Sequence, residues 1–273
     1  MNTNKSLYFL HIPKTGGMTV GVAIAKFLNK NQIAKYPPTP PPHPDVDGGY
    51  AFIQGHLGRY PFSRIPNLTV ATLIRDPLDR AISNFLYIYD RVLVNKPEYF
   101  GIEKMEDKLR YYLFEDPIYT SHRNIQSKFI CFEPEINNFK DIPDNIESDY
   151  QSRSKQWYLI DSELTFELAK KYIDSFEIVN TTNNVVLFTD RVVSWFNSNY
   201  PNMEFKALDS GLFHINPSLV KTEINTYTTK SLKEVLTDED IIKFLDLNDI
   251  DFELYSYVYE KERLIRENER LNG

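Results

Sequence analysis

Two kinds of hydrophobic pattern alternate along the chain. Short, nearly continuous apolar runs of strand length occur at residues 6–11, 51–54, 68–74 and 177–180. Between them, apolar residues recur every three or four positions, as on one face of a helix that packs against a sheet. Continuous apolar strands alternating with such helices are typical of a covered parallel sheet. The pattern therefore predicts one α/β domain over residues 1–273, with a central, mainly parallel sheet flanked by helices.

Helical spacing accounts for most of the remaining chain. It predicts helices over 20–28, 78–92 and 185–196, a mostly helical middle region over 97–175, and a helical C-terminal end over 238–271. A capping box, Thr237 followed by Asp240, is expected to open that C-terminal end. A proline-rich segment, residues 36–47, predicts an extended loop, because strand-like sequence resumes on either side of it.

The first apolar run ends in a polar turn that contains two glycines. Residues 11–17 have the sequence HIPKTGG, and helical spacing resumes just after them. A strand, a glycine turn and a helix N-terminus favour anion binding, because backbone N–H groups point at the ligand. Gly16 and Gly17 allow a close approach of the backbone, and Lys14 adds a positive charge. The competing interpretation is an ordinary strand–turn–helix with a solvated lysine.

The same turn differs from the usual P-loop. The Walker pattern places its lysine after the second glycine, whereas Lys14 precedes both glycines here. A kinase is therefore not the natural inference. The hydroxyl groups of Thr15 and Thr19 are expected to add donors to a bound anion. A metal-binding strand at residues 185–188 with Asp190 is a further alternative, but apolar recurrence at every fourth position favours a helix there.

A second anion-binding group is expected where the third apolar run ends. Arg75-Asp76-Pro77 breaks that run, and Ser83 follows about two turns into the next predicted helix. Because ligands of open α/β sheets lie beyond the carboxyl ends of the strands, Arg75 and Ser83 are expected near the glycine turn. The guanidinium fork of arginine matches phosphate oxygens. The competing interpretation is a simple turn pair between Arg75 and Asp76.

His56 is the candidate for proton transfer. It follows Gly55 at the end of a short apolar run, and an imidazole with an ordinary pKa of about 6.5 is suited to accept a proton from a hydroxyl group. The remaining histidines lack the spacing of metal ligands and are expected to be structural; they are His11, His43, His122 and His214. The sequence therefore calls for no metal.

Taken together, two motifs resemble a known family. Residues 11–17 and residues 74–83 (IRDPLDRAIS) are similar to motifs of the sulfotransferases that include the heparan sulfate 2-O-sulfotransferases and their bacterial relatives. In that family the first motif binds the 5′-phosphosulfate of 3′-phosphoadenosine 5′-phosphosulfate (PAPS), and the second binds its 3′-phosphate. Further matches occur at residues 55–56, 123–126, 216–218 and 247–257, and the resemblance is weak between residues 90 and 180.

The resemblance implies a role for each matched residue. The residues expected to bind PAPS in a P-loop-like nucleotide site are Lys14, Thr15, Gly16, Gly17, Met18, Thr19, Arg75 and Ser83. His56 is expected to be the catalytic base, and Lys14 to neutralise charge on the bridging oxygen. Where the family usually has Thr-Ser after the glycines, this chain has Met18 and Thr19, so one hydroxyl contact is lost.

The composition of the chain limits the classes of partner that we expect it to bind. A net charge of −7 argues against general binding to nucleic acid or acidic membranes, so an anionic ligand needs a local cluster of cations. Cys131 is the only cysteine, which fits a reducing compartment. The sequence shows no signal peptide and no membrane-spanning segment, so we expect a soluble cytoplasmic protein. The leading hypothesis is sulfuryl transfer from PAPS to a hydroxyl group, chiefly of a carbohydrate. The alternatives are a nucleotide-dependent kinase and a non-catalytic nucleotide-binding module.

Overall fold

The computed structural model describes residues 5–28, 33–35, 50–56, 58–59, 65, 67–89, 91–120, 123–131, 163–201 and 227–272. The strands are β1 (Ser6–Leu10), β2 (Ile33–Lys35), β3 (Phe52–Gly55), β4 (Leu68–Ile74) and β5 (Ile178–Thr181). The α-helices are α1 (Gly17–Ala25), α2 (Pro77–Tyr89), α3 (Pro97–Phe100), α4 (Met105–Phe114), α5 (Pro117–Thr120), α6 (Ile125–Cys131), α7 (Phe166–Asp174), α8 (Val185–Asn199), α9 (Thr229–Lys233), α10 (Asp238–Leu247) and α11 (Asp249–Asn272). Short 3₁₀ segments cover Leu93–Asn95 and Thr182–Asn184.

The five strands form one parallel sheet in the order β2-β3-β1-β4-β5. In the centre, Leu7 of β1 lies beside Phe52 of β3 on one side and Thr69 of β4 on the other. All five residues of β1 are buried, as expected for a central strand that is covered on both faces. The predicted α/β class, with a parallel sheet flanked by helices, is confirmed.

Two hydrophobic clusters cover the two faces of the sheet. Successive strand residues point to opposite faces, so Leu7 and Phe9 belong to one cluster and Tyr8 and Leu10 to the other. The first face is packed by α1 and α8, through Val20, Ile24, Phe188 and Val192. The second face is packed by α6, α7 and α11, through Ile125, Phe129, Ala169, Ile173, Leu254 and Val258.

Among the residues that the structure describes, a third cluster contains no strand residue. Most of its buried side chains come from α2, α4, α9 and α10, and they include Leu78, Phe85, Leu109, Tyr112, Leu232 and Phe244. This layer holds the start of α2, and with it the exit of β4, against the rest of the molecule. None of the helices in the described ranges combines the length and the apolar composition needed to cross a lipid bilayer.

Most predicted elements are found, with shifted ends. The capping box of Thr237 and Asp240 opens α10 as predicted, and the segment at residues 185–196 is the helix α8, so the alternative strand before Asp190 is wrong. The helix predicted over 78–92 ends already at Tyr89. The edge strand β2 was not predicted, because three residues carry no pattern. The predicted loop at residues 36–47 lies outside the described residues.

The chain leaves β1 and β4 in opposite directions along the sheet. Through α1, the chain continues from β1 to strands on the β3 side, whereas β4 is followed by β5 on the other side. In open parallel sheets, this reversal leaves a crevice beyond the carboxyl ends of the strands, where ligands bind. The turns at residues 11–16 and 75–76 border that crevice.

Candidate functional site

The turn after β1 delivers the chain to the start of α1. Lys14 and Gly16 both have left-handed backbone angles, with φ of 71° and 81°, and such an angle is uncommon for a lysine. Gly16 is the N-cap of α1; no side chain caps this end, and its first turn contains no acidic residue. By helix geometry, the N–H groups of Gly17, Met18 and Thr19 have no acceptor within the helix. The start of α1 therefore offers donors and a positive dipole end to an anion.

Thr15 holds the turn together. It is fully buried, its hydroxyl donates to the Ile12 carbonyl oxygen at 2.8 Å, and its N–H points to the same oxygen at 3.3 Å. The hydroxyl donor that the sequence led us to expect for a ligand is therefore used inside the turn. Thr19, in the first turn of α1, is half-buried.

Lys14 lies among other cations. Its ammonium nitrogen is 4.2 Å from the centre of the Tyr87 ring. Burial, followed by the positive charges of Arg75, Arg91 and Arg80, lowers the pKa of Lys14 to about 8. Among the described residues, no carboxylate forms an ion pair with Lys14. Like charges held together in this way favour the binding of an anion.

Arg75 links the two turns of the crevice. Its guanidinium Nη1 donates to the Lys14 carbonyl oxygen at 3.1 Å. Its backbone is held at both ends by the buried Gln126 side chain, because the Arg75 N–H donates to Oε1 at 2.9 Å and Nε2 donates to the Arg75 carbonyl at 2.8 Å. Sequence reasoning noted Gln126 as a weak family match but assigned it no role; its position at the start of α6 gave no further signal.

Ser83 lies on the face of α2 that borders the crevice. Asp76 caps this helix by accepting from the Asp79 N–H at 2.9 Å, which explains why the Arg-Asp-Pro sequence ends a strand and begins a helix. Ser83 is four residues after Asp79 and four before Tyr87, so the three share one helix face. Asp79 accepts from the Lys233 ammonium at 2.8 Å. The half-buried Ser83 thus lies between that ion pair and the ring beside Lys14.

The surroundings of the neutral His56 ring favour one tautomer. Its Nδ1 lies within hydrogen-bonding distance of the His11 carbonyl oxygen, and a carbonyl can only accept, so the neutral ring carries its proton on Nδ1. Nε2 is then the nitrogen that can accept a proton. The backbone around it is fixed, since the His11 N–H donates to the Gly55 carbonyl and the Tyr8 hydroxyl donates to the Gly58 carbonyl, at 3.0 and 3.1 Å.

Several predicted positions are outside the described ranges. They are His43, His122, His214 and residues 216–218. In the described part of the chain, no group of three histidine, cysteine, aspartate or glutamate side chains is arranged to hold a metal ion.

Comparison with known proteins adds no assignment: no protein-family model matches the chain, and no curated protein is significantly similar to it.

Proposed function

We propose that the protein is a sulfotransferase that moves the sulfuryl group of PAPS to an acceptor hydroxyl, with carbohydrate hydroxyls as the leading acceptor class. One observation carries the proposal: Arg75 donates a hydrogen bond to the Lys14 carbonyl oxygen at the ends of the adjacent strands β4 and β1, and His56 follows β3, which pairs with β1 on its other side. Two cations on neighbouring strand exits suit a ligand with two separated anionic groups, and a histidine at the next strand exit suits transfer to a hydroxyl.

The first anionic group is assigned to the turn after β1. The uncapped N–H groups of Gly17, Met18 and Thr19 and the ammonium of Lys14 provide the donors of a P-loop-like site. Arg75 and Ser83 are assigned to the second group, the 3′-phosphate. The absence of a hydroxyl at Met18 does not remove its backbone N–H, so the site keeps this donor.

The residues provide both the base and the charge neutralisation that the transfer requires. PAPS supplies the sulfuryl group, whose sulfur bonds to the acceptor oxygen as its bond to the 5′-phosphate oxygen breaks. His56 takes the acceptor proton on Nε2. Lys14 neutralises the negative charge that collects on the departing oxygen, which leaves with the electron pair on adenosine 3′,5′-bisphosphate. This division of roles follows the general requirement of such transfers for positioning and charge stabilisation.

The kinase alternative is less well supported. It requires a carboxylate to hold a divalent metal beside the phosphates, and the one sequence candidate, Asp190, lies on the helix α8 rather than at a strand end. The remaining alternative, a nucleotide-binding module without catalysis, differs from the proposal only in turnover.

Two measurements test the proposal. Calorimetric titration should show tighter binding of adenosine 3′,5′-bisphosphate than of ATP with magnesium, and labelled PAPS should transfer its sulfuryl group to at least one member of a panel of carbohydrates and smaller alcohols. Preference for ATP contradicts the proposal, whereas bisphosphate binding with no transfer to any acceptor identifies a non-catalytic module. Lys170→Ala is a suitable control, because Lys170 lies on α7, which leads into the opposite, amino end of β5.

A further inference from the structure

Two glycines on α1 make room for two side chains from the sheet. A Cβ atom at Gly17 would lie 1.9 Å from Cδ2 and 2.1 Å from Nε2 of His11, and one at Gly21 would lie 2.0 Å from Oε1 of Gln54. Real atoms do not approach so closely, so any other residue at either position displaces the ring or the amide. The edge of the His11 ring that carries Nε2 therefore lies directly against the first residue of α1.

The Gln54 amide determines which nitrogen of His11 carries the proton. Its Nε2 donates to the Gly17 carbonyl oxygen at 3.0 Å, which fixes the orientation of the amide, because two oxygens would repel each other there. The same Nε2 faces Nδ1 of His11 at 3.5 Å. Since a donor faces Nδ1, this nitrogen acts as the acceptor, and the proton of the neutral ring is on Nε2.

This orientation of the Gln54 amide leaves its oxygen without a hydrogen bond from any described residue. Gln54 is only 9% exposed, and its Oε1 is buried without a hydrogen-bond partner. A buried unsatisfied oxygen is unfavourable and calls for an explanation. The contacts that its Nε2 makes with Gly17 and His11 provide one.

We propose that His11 is a further ligand-binding residue of the site, which donates its Nε2 proton to the same anionic group as the N–H groups at the start of α1, and that Gln54 is the positioning residue that selects this form. The identity of the anion, a sulfuryl or phosphate group, rests on the proposed function. The contact itself requires only that an oxyanion binds at this turn.

The two histidines of the crevice then have complementary forms. Their ring centres are 4.6 Å apart. His56 has its proton on Nδ1 and accepts on Nε2, whereas His11 accepts on Nδ1 and donates from Nε2. Burial, together with His56 and Lys14, holds the pKa of His11 well below its ordinary value, which keeps the ring neutral. One ring is therefore suited to an oxyanion and its neighbour to a proton.

Long-range ¹H–¹⁵N spectra of histidine-labelled protein at neutral pH test the proposal directly, with the His11 signals assigned by comparison with His11→Asn. We expect a neutral ring protonated on Nε2, and a shift of that nitrogen on addition of sodium sulfate or adenosine 3′,5′-bisphosphate. A proton on Nδ1 overturns the proposal, as does an Nε2 signal that neither anion moves. A shift with sulfate but not with the bisphosphate supports the role of His11 while contradicting the proposed nucleotide.

Variants provide the second test. Gln54→Glu places a carboxylate opposite Nδ1 of His11, and we expect the ring proton to move to Nδ1. His11→Asn removes the ring. Each variant loses one donor to the anion, so we expect each to weaken anion binding about tenfold. Both variants are compared with wild type by calorimetry and by circular dichroism. Unchanged affinity in a folded His11→Asn protein overturns the proposal, and the wild-type spectra decide the question if the variants do not fold.

Discussion

Two polar centres of this molecule are built in opposite ways. At the Lys14 turn, positive charges are packed together and the helix N–H groups have no acceptor within the helix. At the start of α6, the Asp251 carboxylate accepts hydrogen bonds from the Gln126 and Ser127 N–H groups at 3.0 and 2.8 Å, and from the Ser127 hydroxyl at 2.7 Å. A polar centre that satisfies itself supports the fold, whereas the uncapped, cationic turn is the centre that we propose for the ligand.

Gln126 connects the two centres. Its N–H is held by Asp251, while its side chain holds the backbone of Arg75. The Asp251 side chain is buried, and this burial raises the pKa of its carboxyl group in spite of its hydrogen bonds. The centre at α6 is therefore linked through Gln126 to the backbone of Arg75 in the cationic crevice. Substitutions in the two centres should separate effects on stability from effects on function.

The largest effect is expected for Lys14→Ala. It removes the charge assigned to the leaving oxygen, and we expect sulfuryl transfer to fall by at least about a thousandfold, with weaker binding of the bisphosphate. The free energy of unfolding should stay the same or rise, because a desolvated charge among arginines is removed. Steady-state turnover and urea unfolding, each compared with Lys170→Ala, check both parts. A folded Lys14→Ala protein with normal turnover contradicts the assignment of this turn.

His56→Ala is expected to act on turnover alone. Loss of the proton acceptor should reduce turnover by about a hundred- to ten-thousandfold, while affinity for adenosine 3′,5′-bisphosphate stays nearly intact, since the ring is assigned no contact with the nucleotide. Single-turnover rates and calorimetry measure the two quantities. If His56→Ala retains near-normal turnover, the base is another residue.

Asp251→Ala tests the other side of the comparison. It leaves three buried donors without their acceptor, and we expect the free energy of unfolding to fall by about 3 kcal/mol. Chemical denaturation measures this loss. At a temperature where the variant is folded, its turnover should fall less than that of Lys14→Ala. A stable Asp251→Ala protein would show that the centre at α6 does not support the fold as described.

Arg75→Ala and Ser83→Ala address the second anionic group. Loss of a charge-assisted hydrogen bond costs roughly 1.5–3 kcal/mol, or about ten- to a hundredfold in affinity, and Ser83→Ala is expected at the lower end of this range. The loss should be larger for ligands that carry a 3′-phosphate than for adenosine 5′-phosphosulfate, which lacks it. Equal losses for both ligands would show that Arg75 and Ser83 support the fold and do not bind the 3′-phosphate.

The pH dependence of binding should be smaller than the losses of turnover. A bound anion favours the ammonium form of Lys14, whose pKa is about 8 without ligand, so affinity should be constant below that pH. Above it, affinity should fall by up to about tenfold per unit, since binding requires proton uptake. Calorimetry between pH 7 and 9.5 measures this change, and Lys14→Met should abolish it.

The same lysine gives stability the opposite pH dependence. Its pKa in the folded protein lies below the ordinary 10.5, so the unfolded chain binds more protons between about pH 8 and 10.5. The contribution of Lys14 to the free energy of unfolding therefore rises with pH across that window. Denaturation curves of wild type and Lys14→Met across this range measure the contribution, and equal slopes would show that Lys14 is not desolvated.

The local pattern of the sequence was enough to predict most of the strands and helices. Continuous apolar runs predicted the buried strands β1, β4 and β5 because parallel strands are covered on both faces. The Thr237 and Asp240 spacing predicted the start of α10, since a capping box depends only on residues three positions apart. Residues 33–35 were missed because a three-residue edge strand is fixed by its neighbour β3 and not by its own pattern.

The site was predictable only in part. The sequence by itself determined which residue types follow each strand, and parallel topology brings strand ends to one edge, so Lys14, Arg75 and His56 could be grouped in advance. Contacts over long separations were decided by the tertiary structure: the amide of Gln126 on the Arg75 backbone and the carboxylate of Asp251 behind it. The reason is physical, because whether a polar side chain serves a ligand or the fold depends on which acceptors and donors packing brings within about 3 Å.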